Sequence, residues 1–269
     1  MLVDTHCHLN FKAFEGDWRA VVERAQKVGV KKIMVVGTDL ESSKRAVAIA
    51  EKTEGLYATV GVHPHHCRNL KESIEKMGKK LKIMTKSKKV VGIGECGLDY
   101  HTYKQSKYKN TEIAAELKNL QKKVFGRQIQ LAKELNLGLV IHNRRADEDL
   151  LDTIDHFCKD DGKYPKGVFH CISGSKDYLK KVLEMGFYVG VDGNVTYSKG
   201  VRELVREIPL ERLVIETDSP FLTPVPYRGL RNEPKNVKIV AESIAKLKRV
   251  SVDEIRTSTT KNAEVLFNI

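Results

Sequence analysis

Ionisable side chains of the kind that bind metals recur along this sequence in short motifs. VDTHCHLN (Val3 to Asn10) sets Asp4, His6 and His8 at alternate positions. GVHPHH carries His63 and His65, and VVGIGECGLDY carries Glu95 and Asp99. His142 and Arg144 stand in GLVIHNRRA, His170 in GVFHCISGS, and Glu216 with Asp218 in RLVIETDSP. Histidine nitrogens and carboxylate oxygens together suit divalent zinc, manganese, nickel or iron, and a carboxylate-rich set suits magnesium. His6, His8, Glu95, His142, His170 and Asp218 are enough for two ions, with Glu95 the choice for a bridging carboxylate. Two ions can activate a water and neutralise the oxygens of an in-line displacement at phosphorus. Arg144, His63 and His65 then suit the phosphate itself.

These residues must be held by the elements that precede them. Short β-branched runs predict strands near Leu2–His6, Lys32–Gly37, Tyr57–Val62, Val90–Gly94, Gly138–His142, Gly167–His170, Phe187–Val191 and Leu213–Glu216. Segments with helical periodicity lie between them, such as WRAVVERAQKVG, SSKRAVAIAEKT, FGRQIQLAKELN, KDYLKKVLEMG and NVKIVAESIAKLKR, with stop signals at Gly29, Asn136 and Gly186. Strand and helix alternating over 269 residues predict a single-domain (β/α)8 TIM barrel spanning 1–269. A doubly wound open sheet is the structural alternative, and it would more often carry a glycine-rich phosphate turn after its first strand. None is present.

In a parallel barrel the functional groups stand at the C-terminal ends of the strands, where the motifs above fall. A lone histidine there is more often a satisfied structural group than a ligand. Six strands ending in His, Glu or Asp are hard to explain in that way, because burying so many ionisable groups without compensation is too costly. Residues two apart on a strand face one side. Shared faces are therefore expected for Asp4, His6 and His8, for Val91, Ile93 and Glu95, for Val140, His142 and Arg144, and for Val214, Glu216 and Asp218. Cys7, Cys96 and Cys171 each follow a candidate ligand and are expected to turn away from the centre. The connection from Leu98 to Leu137 is long, and its stretch Tyr100–Phe125 is expected to form an excursion over the barrel mouth.

The formal net charge is +12, which favours polyanionic partners, nucleic acid first. The Lys-rich stretches KKLKIMTKSKK and YKQSKYKN, which carry much of it, are equally read as solvated surface. Five cysteines without a CxxC argue against a disulfide framework or a zinc knuckle. No run approaches the roughly 18 apolar residues of a membrane span, and no secretory signal is visible. A cytoplasmic location is expected, or a nuclear one in a eukaryote. No obligate protein partner is indicated.

At these residues the chain resembles the TatD family of metal-dependent deoxyribonucleases, within the amidohydrolase-like (β/α)8 barrels. The matching motifs are DTHCHL, GVHPH, GECGLDY, the His-x-Arg at His142, HCISGS, ETDSPFLTPVPYRGLRNEP and TTKNAEVLF, and they run nearly end to end. The resemblance implies one divalent ion (Mg, Mn or Zn) on His6, His8 and Glu95, and a second on Glu95, His142 and His170. It implies that Asp218 contacts the metal-bound water or acts as general base, and that His63, His65 and Arg144 meet the scissile phosphate. Tyr227 and Arg228, in PVPYRG, would face nucleic acid at the rim. Glu216 would orient neighbours, RNEP would stabilise the fold, and Asp99 would be substrate-facing or a turn residue. Arg145 stands where relatives often have an acid, and either adds charge to the phosphate path or points away. The implied activity is hydrolysis of DNA phosphodiester bonds, as an exonuclease or a lesion-linked endonuclease. A D-aminoacyl-tRNA deacylase and a non-catalytic nucleic-acid-binding barrel are the alternatives.

Overall fold

The computed structural model describes residues 1–102, 113–159 and 162–269. Eight parallel strands form one sheet in sequential order. They are β1 (Leu2–Cys7), β2 (Val30–Val36), β3 (Leu56–Val60), β4 (Val90–Asp99), β5 (Gly138–Arg144), β6 (Gly167–Phe169), β7 (Tyr188–Val191) and β8 (Leu213–Ile215). The sheet closes just beyond β8. Cys7 bridges to Ser219, the Asp218 N–H donates to His6 O at 2.8 Å, and the His8 N–H donates to Ser219 O at 2.7 Å. The expected TIM barrel is the observed fold.

Helices wrap the sheet: α1 (Trp18–Lys27), α2 (Leu40–Glu51), α3 (Ile74–Met84), α4 (Ala115–Leu135), α5 (Asp147–Cys158), α6 (Lys176–Glu184), α7 (Lys199–Glu207), α8 (Val237–Lys248) and α9 (Val252–Phe267). Serine hydroxyls of Ser73, Ser175, Ser198 and Ser251 accept backbone N–H groups at the starts of α3, α6, α7 and α9, satisfying donors that a helix leaves open. Asn136 ends α4 with φ 52°, as its stop signal predicts. No described helix is long and apolar enough to cross a membrane.

Alternation sorts the core into two layers. In β2, Ile33 and Val35 pack outward against the helices, while Met34 and Val36 face the barrel interior. Val3, Val91, Val140, Val168 and Val214 fill the same interior. Its lower end is stoppered by Ala263, Leu266 and Phe267 of α9, of which Phe267 lies against Gly92 and both Leu266 and Phe267 lie against Gly138. This explains the apolar side of TTKNAEVLF.

Alternation breaks where function needs it. The β4–β5 register shifts between Ile93 and Cys96, and the β1–β2 register shifts between Asp4 and Cys7. In each place three steps on one strand oppose two on the next, so an extra residue enters and re-aims the side chains. Ile93 therefore belongs to the outer core while Val91 faces inward, and the expected shared face of Val91, Ile93 and Glu95 does not exist. Val3 faces inward, so its neighbour Asp4 starts on the other side, and Asp4 does not join the row of His6 and His8. Its carboxylate instead accepts the Thr217 N–H at 2.9 Å and hydroxyl at 2.7 Å.

The excursion is also shorter than expected. Residues 115–125 belong to α4, whose Gln121 donates to Asp99 O at 3.1 Å and accepts the Asp99 N–H at 3.0 Å. That pairing fixes the helix start against the end of β4. The rest of the expected excursion, at 103–112, lies outside the described residues.

Phe267→Ala removes a fully buried ring from the barrel floor and should cost about 3–5 kcal/mol of stability in chemical denaturation. A loss below roughly 1 kcal/mol would mean that α9 does not close the barrel.

Candidate metal centre

The polar strand ends converge on Glu95. Gly94 precedes it at φ 149°, and a Cβ there would fall 2.6 Å from Val140 O, so only glycine lets β4 and β5 approach this closely. The Glu95 N–H donates to Gly37 O at 2.7 Å, anchoring the backbone across the mouth. Its two oxygens then face two different histidine pairs. Oε2 lies 3.6 Å from the Nε2 atoms of both His6 and His8. Oε1 lies 3.0 Å from His142 Nδ1 and 2.9 Å from His170 Nε2. Asp218 Oδ1 approaches the first pair, 3.3 Å from His8 and 3.6 Å from His6.

Within each pair the ring nitrogens nearly touch, at 3.2 Å for His6 and His8 and 3.1 Å for His142 and His170. His8 Nδ1 donates to Val36 O at 3.0 Å, so its Nε2 presents a lone pair. His142 Nε2 donates to Asp99 Oδ2 at 3.1 Å, so its Nδ1 is the inward atom. Lone pairs aimed at one another and at a carboxylate are favourable only around a cation or a proton. Ligands at about 2.1 Å from a tetrahedral ion stand about 3.4 Å apart, which the observed spacings match. The residues present therefore fit divalent ions. Among the described residues three groups converge closely enough to hold an ion: His6, His8 and Asp218; His63, Glu95 and His142; and His6, His170 and Glu216.

The electrostatics agree. Burial opposes charge on Glu95, but His63, His170 and His142 around it hold its carboxyl well below the usual range. Burial likewise opposes charge on Asp99, and hydrogen bonds from His142 and His65 overcome it. Asp218 is held down by His8 in the same way. Burial and the neighbouring His170 lower His6 to about 4. His142 resists burial and is held up at about 9 by Asp99 and Glu95. Without a metal, a proton thus stands on His142 where a cation would otherwise balance the carboxylates.

The other expected residues divide into three groups. His63, His65 and Arg144 line the same cavity as Glu95, and Arg145 lines it too, so its charge does join that wall. His63 Nδ1 accepts the His65 N–H at 3.1 Å, leaving Nε2 as a donor 3.4 Å from Glu95 Oε1. Asp99 is neither a bare turn residue nor open to the cavity. It is fully buried, and its Oδ2 also meets His65 Nε2 at 2.8 Å, so one carboxylate orients rings of both the cluster and the wall. Glu216 is buried behind His170, with its carboxyl pushed well up by burial and by Asp192. It accepts the Cys171 N–H at 2.6 Å and so fixes the residue after His170.

Tyr227 and Arg228 do not line the cavity. They stand exposed further along the β8–α8 loop, with the Arg228 guanidinium 4.1 Å over the Tyr197 ring. RNEP does tie that loop down. Asn232 donates to Thr217 O at 2.9 Å and Phe221 O at 2.7 Å, and Glu233 accepts two bonds from Arg24 at 2.9 Å.

Cys7 and Cys96 pack in the outer core as expected, but Cys171 does not. It adopts φ 49° past the end of β6 and lines the cavity, because a left-handed residue interrupts the strand alternation. Phe11, Thr38, Ser173, Gly174, Phe221 and Leu222 also line the cavity and were not expected there. No ionisable group marks them, and only the short distance of Phe11 and Phe221 from His8 and Asp218 in sequence pointed to them.

Residues 3–268 match the family model described as TatD related DNase. The uncharacterized metal-dependent hydrolase YabD of Bacillus subtilis is 43% identical over 272 residues, covering 100% of both chains. The crystal structure of the TatD homologue YjjV from Escherichia coli superposes with a TM-score of 0.86 at 31% identity, covering 100% of this chain and 98% of that one. A TatD-family hydrolase from Entamoeba histolytica superposes with a TM-score of 0.83 at 25% identity, covering 99% and 97%.

Since His142 holds its proton up to about 9, a divalent ion must displace it. Metal binding at neutral pH should therefore release protons, and affinity should rise with pH until about 9 and then level off. Calorimetric titration of manganese in buffers of different ionisation enthalpy measures this. A buffer-independent heat at neutral pH would contradict the protonated His142.

Proposed function

We propose that the chain, which belongs to the TatD-related DNase family of metal-dependent hydrolases, hydrolyses DNA phosphodiester bonds with two divalent ions sharing Glu95. The observation that carries this reading is the single buried carboxylate whose two oxygens face separate histidine pairs. His6 and His8 would hold one ion, and His142 and His170 the other. Ions held there supply Lewis-acid charge to phosphate oxygens and acidify water at neutral pH.

The surrounding residues then take distinct roles. Asp218 has its side chain 14% exposed against 5% for Glu95, so it is the carboxylate better able to exchange a proton with the cavity. It is ionised and serves as the base toward the attacking water. The His63 Nε2–H donates to a phosphate oxygen, and Arg144 adds charge on the same wall, with His65 beside it. Asp99 keeps His142 turned with Nδ1 inward. A net charge of +12 favours a polyanionic substrate over a small neutral ester.

Glu95→Ala should fold normally and lose DNA cleavage by more than the roughly 100-fold that loss of an outer-shell partner costs. The assay uses end-labelled single- and double-stranded DNA with each divalent ion, with and without EDTA, and a D-aminoacyl-tRNA alongside. Cleavage that survives Glu95→Ala or chelation would refute the mechanism. Release of the amino acid with DNA left intact would favour the deacylase instead.

A further inference from the structure

The cavity above Glu95 has two unlike walls. Its volume is about 880 Å³, in the range of small-ligand sites. Arg144 and Arg145, after β5, make one wall cationic, with His65 and His66, after β3, beside them. Phe11, after β1, and Phe221 with Leu222, after β8, make the other apolar. Because β1 neighbours β8 and β5 lies across the barrel, the two walls face each other with the cluster between them.

The aromatic wall is built rather than incidental. Phe11 stacks on His8, with ring centroids 4.3 Å apart and planes 8° apart. Phe221 stands edge-on to both, 6.3 Å from Phe11 and 6.4 Å from His8. Phe221 is 52% exposed, yet its backbone is pinned. The Phe221 N–H donates to Asp218 O at 2.8 Å, and its carbonyl accepts from Asn232 at 2.7 Å. An exposed ring on a fixed backbone, three residues past Asp218, offers a flat face beside the hydrolytic centre.

We propose that Phe221, backed by Phe11, stacks the unpaired nucleobase next to the scissile phosphate. A nucleotide has one flat apolar part and one anionic part, and this cavity has one wall for each. Stacking uses the π-face that every base possesses, so it is tolerant of base identity. A base inside a duplex is covered by its neighbours and cannot offer that face. The substrate is therefore a single strand or a frayed strand end. This inference rests on the nuclease reading above, and it adds the contact that selects unpaired DNA.

The test compares wild type, F221A and F221W. A short single strand carrying a fluorescent adenine analogue at either terminus, with non-hydrolysable linkages, reports stacking by quenching. Quenching is expected with wild type and F221W and should be lost with F221A. On natural single strands, F221A should raise KM by roughly tenfold or more, with the loss carried by KM rather than kcat. On a strand whose terminal unit is abasic, wild type should show the same raised KM, and F221A should add little to it. Equal quenching and equal KM in wild type and F221A would overturn the platform while leaving the nuclease standing. Quenching through Phe221 by a protein that cleaves no DNA would overturn the nuclease reading and leave the platform.

Discussion

A carboxylate charge buried at the mouth of the barrel is the constraint on which the site depends. Glu95 is almost fully enclosed, and an uncompensated ion there would cost several kcal/mol. Imidazoles from β1, β5 and β6 and from the β3 loop surround it for that reason. The demand passes outward. Asp99 balances His142 and His65, while the Val36 carbonyl fixes His8. Behind them Asp4 and Asp192, pushed by burial up to about 7 and about 6, accept hydrogen bonds from the backbone N–H groups of Thr217 and Asn194.

The backbone is bent to serve the same constraint. Regular strands would present β-branched side chains inward at every second position. That pattern fills the lower barrel with Val3, Met34, Val91, Val140, Val168 and Val214. At the upper end the shifts in β1 and β4 break the pattern, so that His6 and Glu95 enter while Cys7 and Cys96 turn out. The strands carry the ligands on rigid elements, and the loops after them carry the two walls of the cavity.

Much of this was legible in the sequence, for a physical reason. Buried parallel strands need continuous apolar runs, and barrel chemistry sits where those runs stop. The eight strands followed from that rule, as did the gathering of His6, His8, Glu95, His142, His170 and Asp218 at one barrel mouth, together with His63, His65, Arg144 and Glu216. What stayed hidden depends on register and tertiary contact. An inserted residue leaves no local mark, so parity misassigned Ile93 and Asp4. The left-handed turn that brings Cys171 to the cavity was hidden in the same way, as was the pairing of Gln121 with Asp99 that starts α4 early. Phe11 and Phe221 carry no ionisable group, so nothing in their residue type marks them as lining the cavity.

Glu95 is proposed to join two ions through its two oxygens. Anomalous diffraction from crystals of the protein loaded with manganese tests it directly. Two peaks are expected about 3.5–4 Å apart, one beside His6 and His8 and the other beside His142 and His170, with one Glu95 oxygen on each. A single peak, or peaks that Glu95 does not touch, would contradict it.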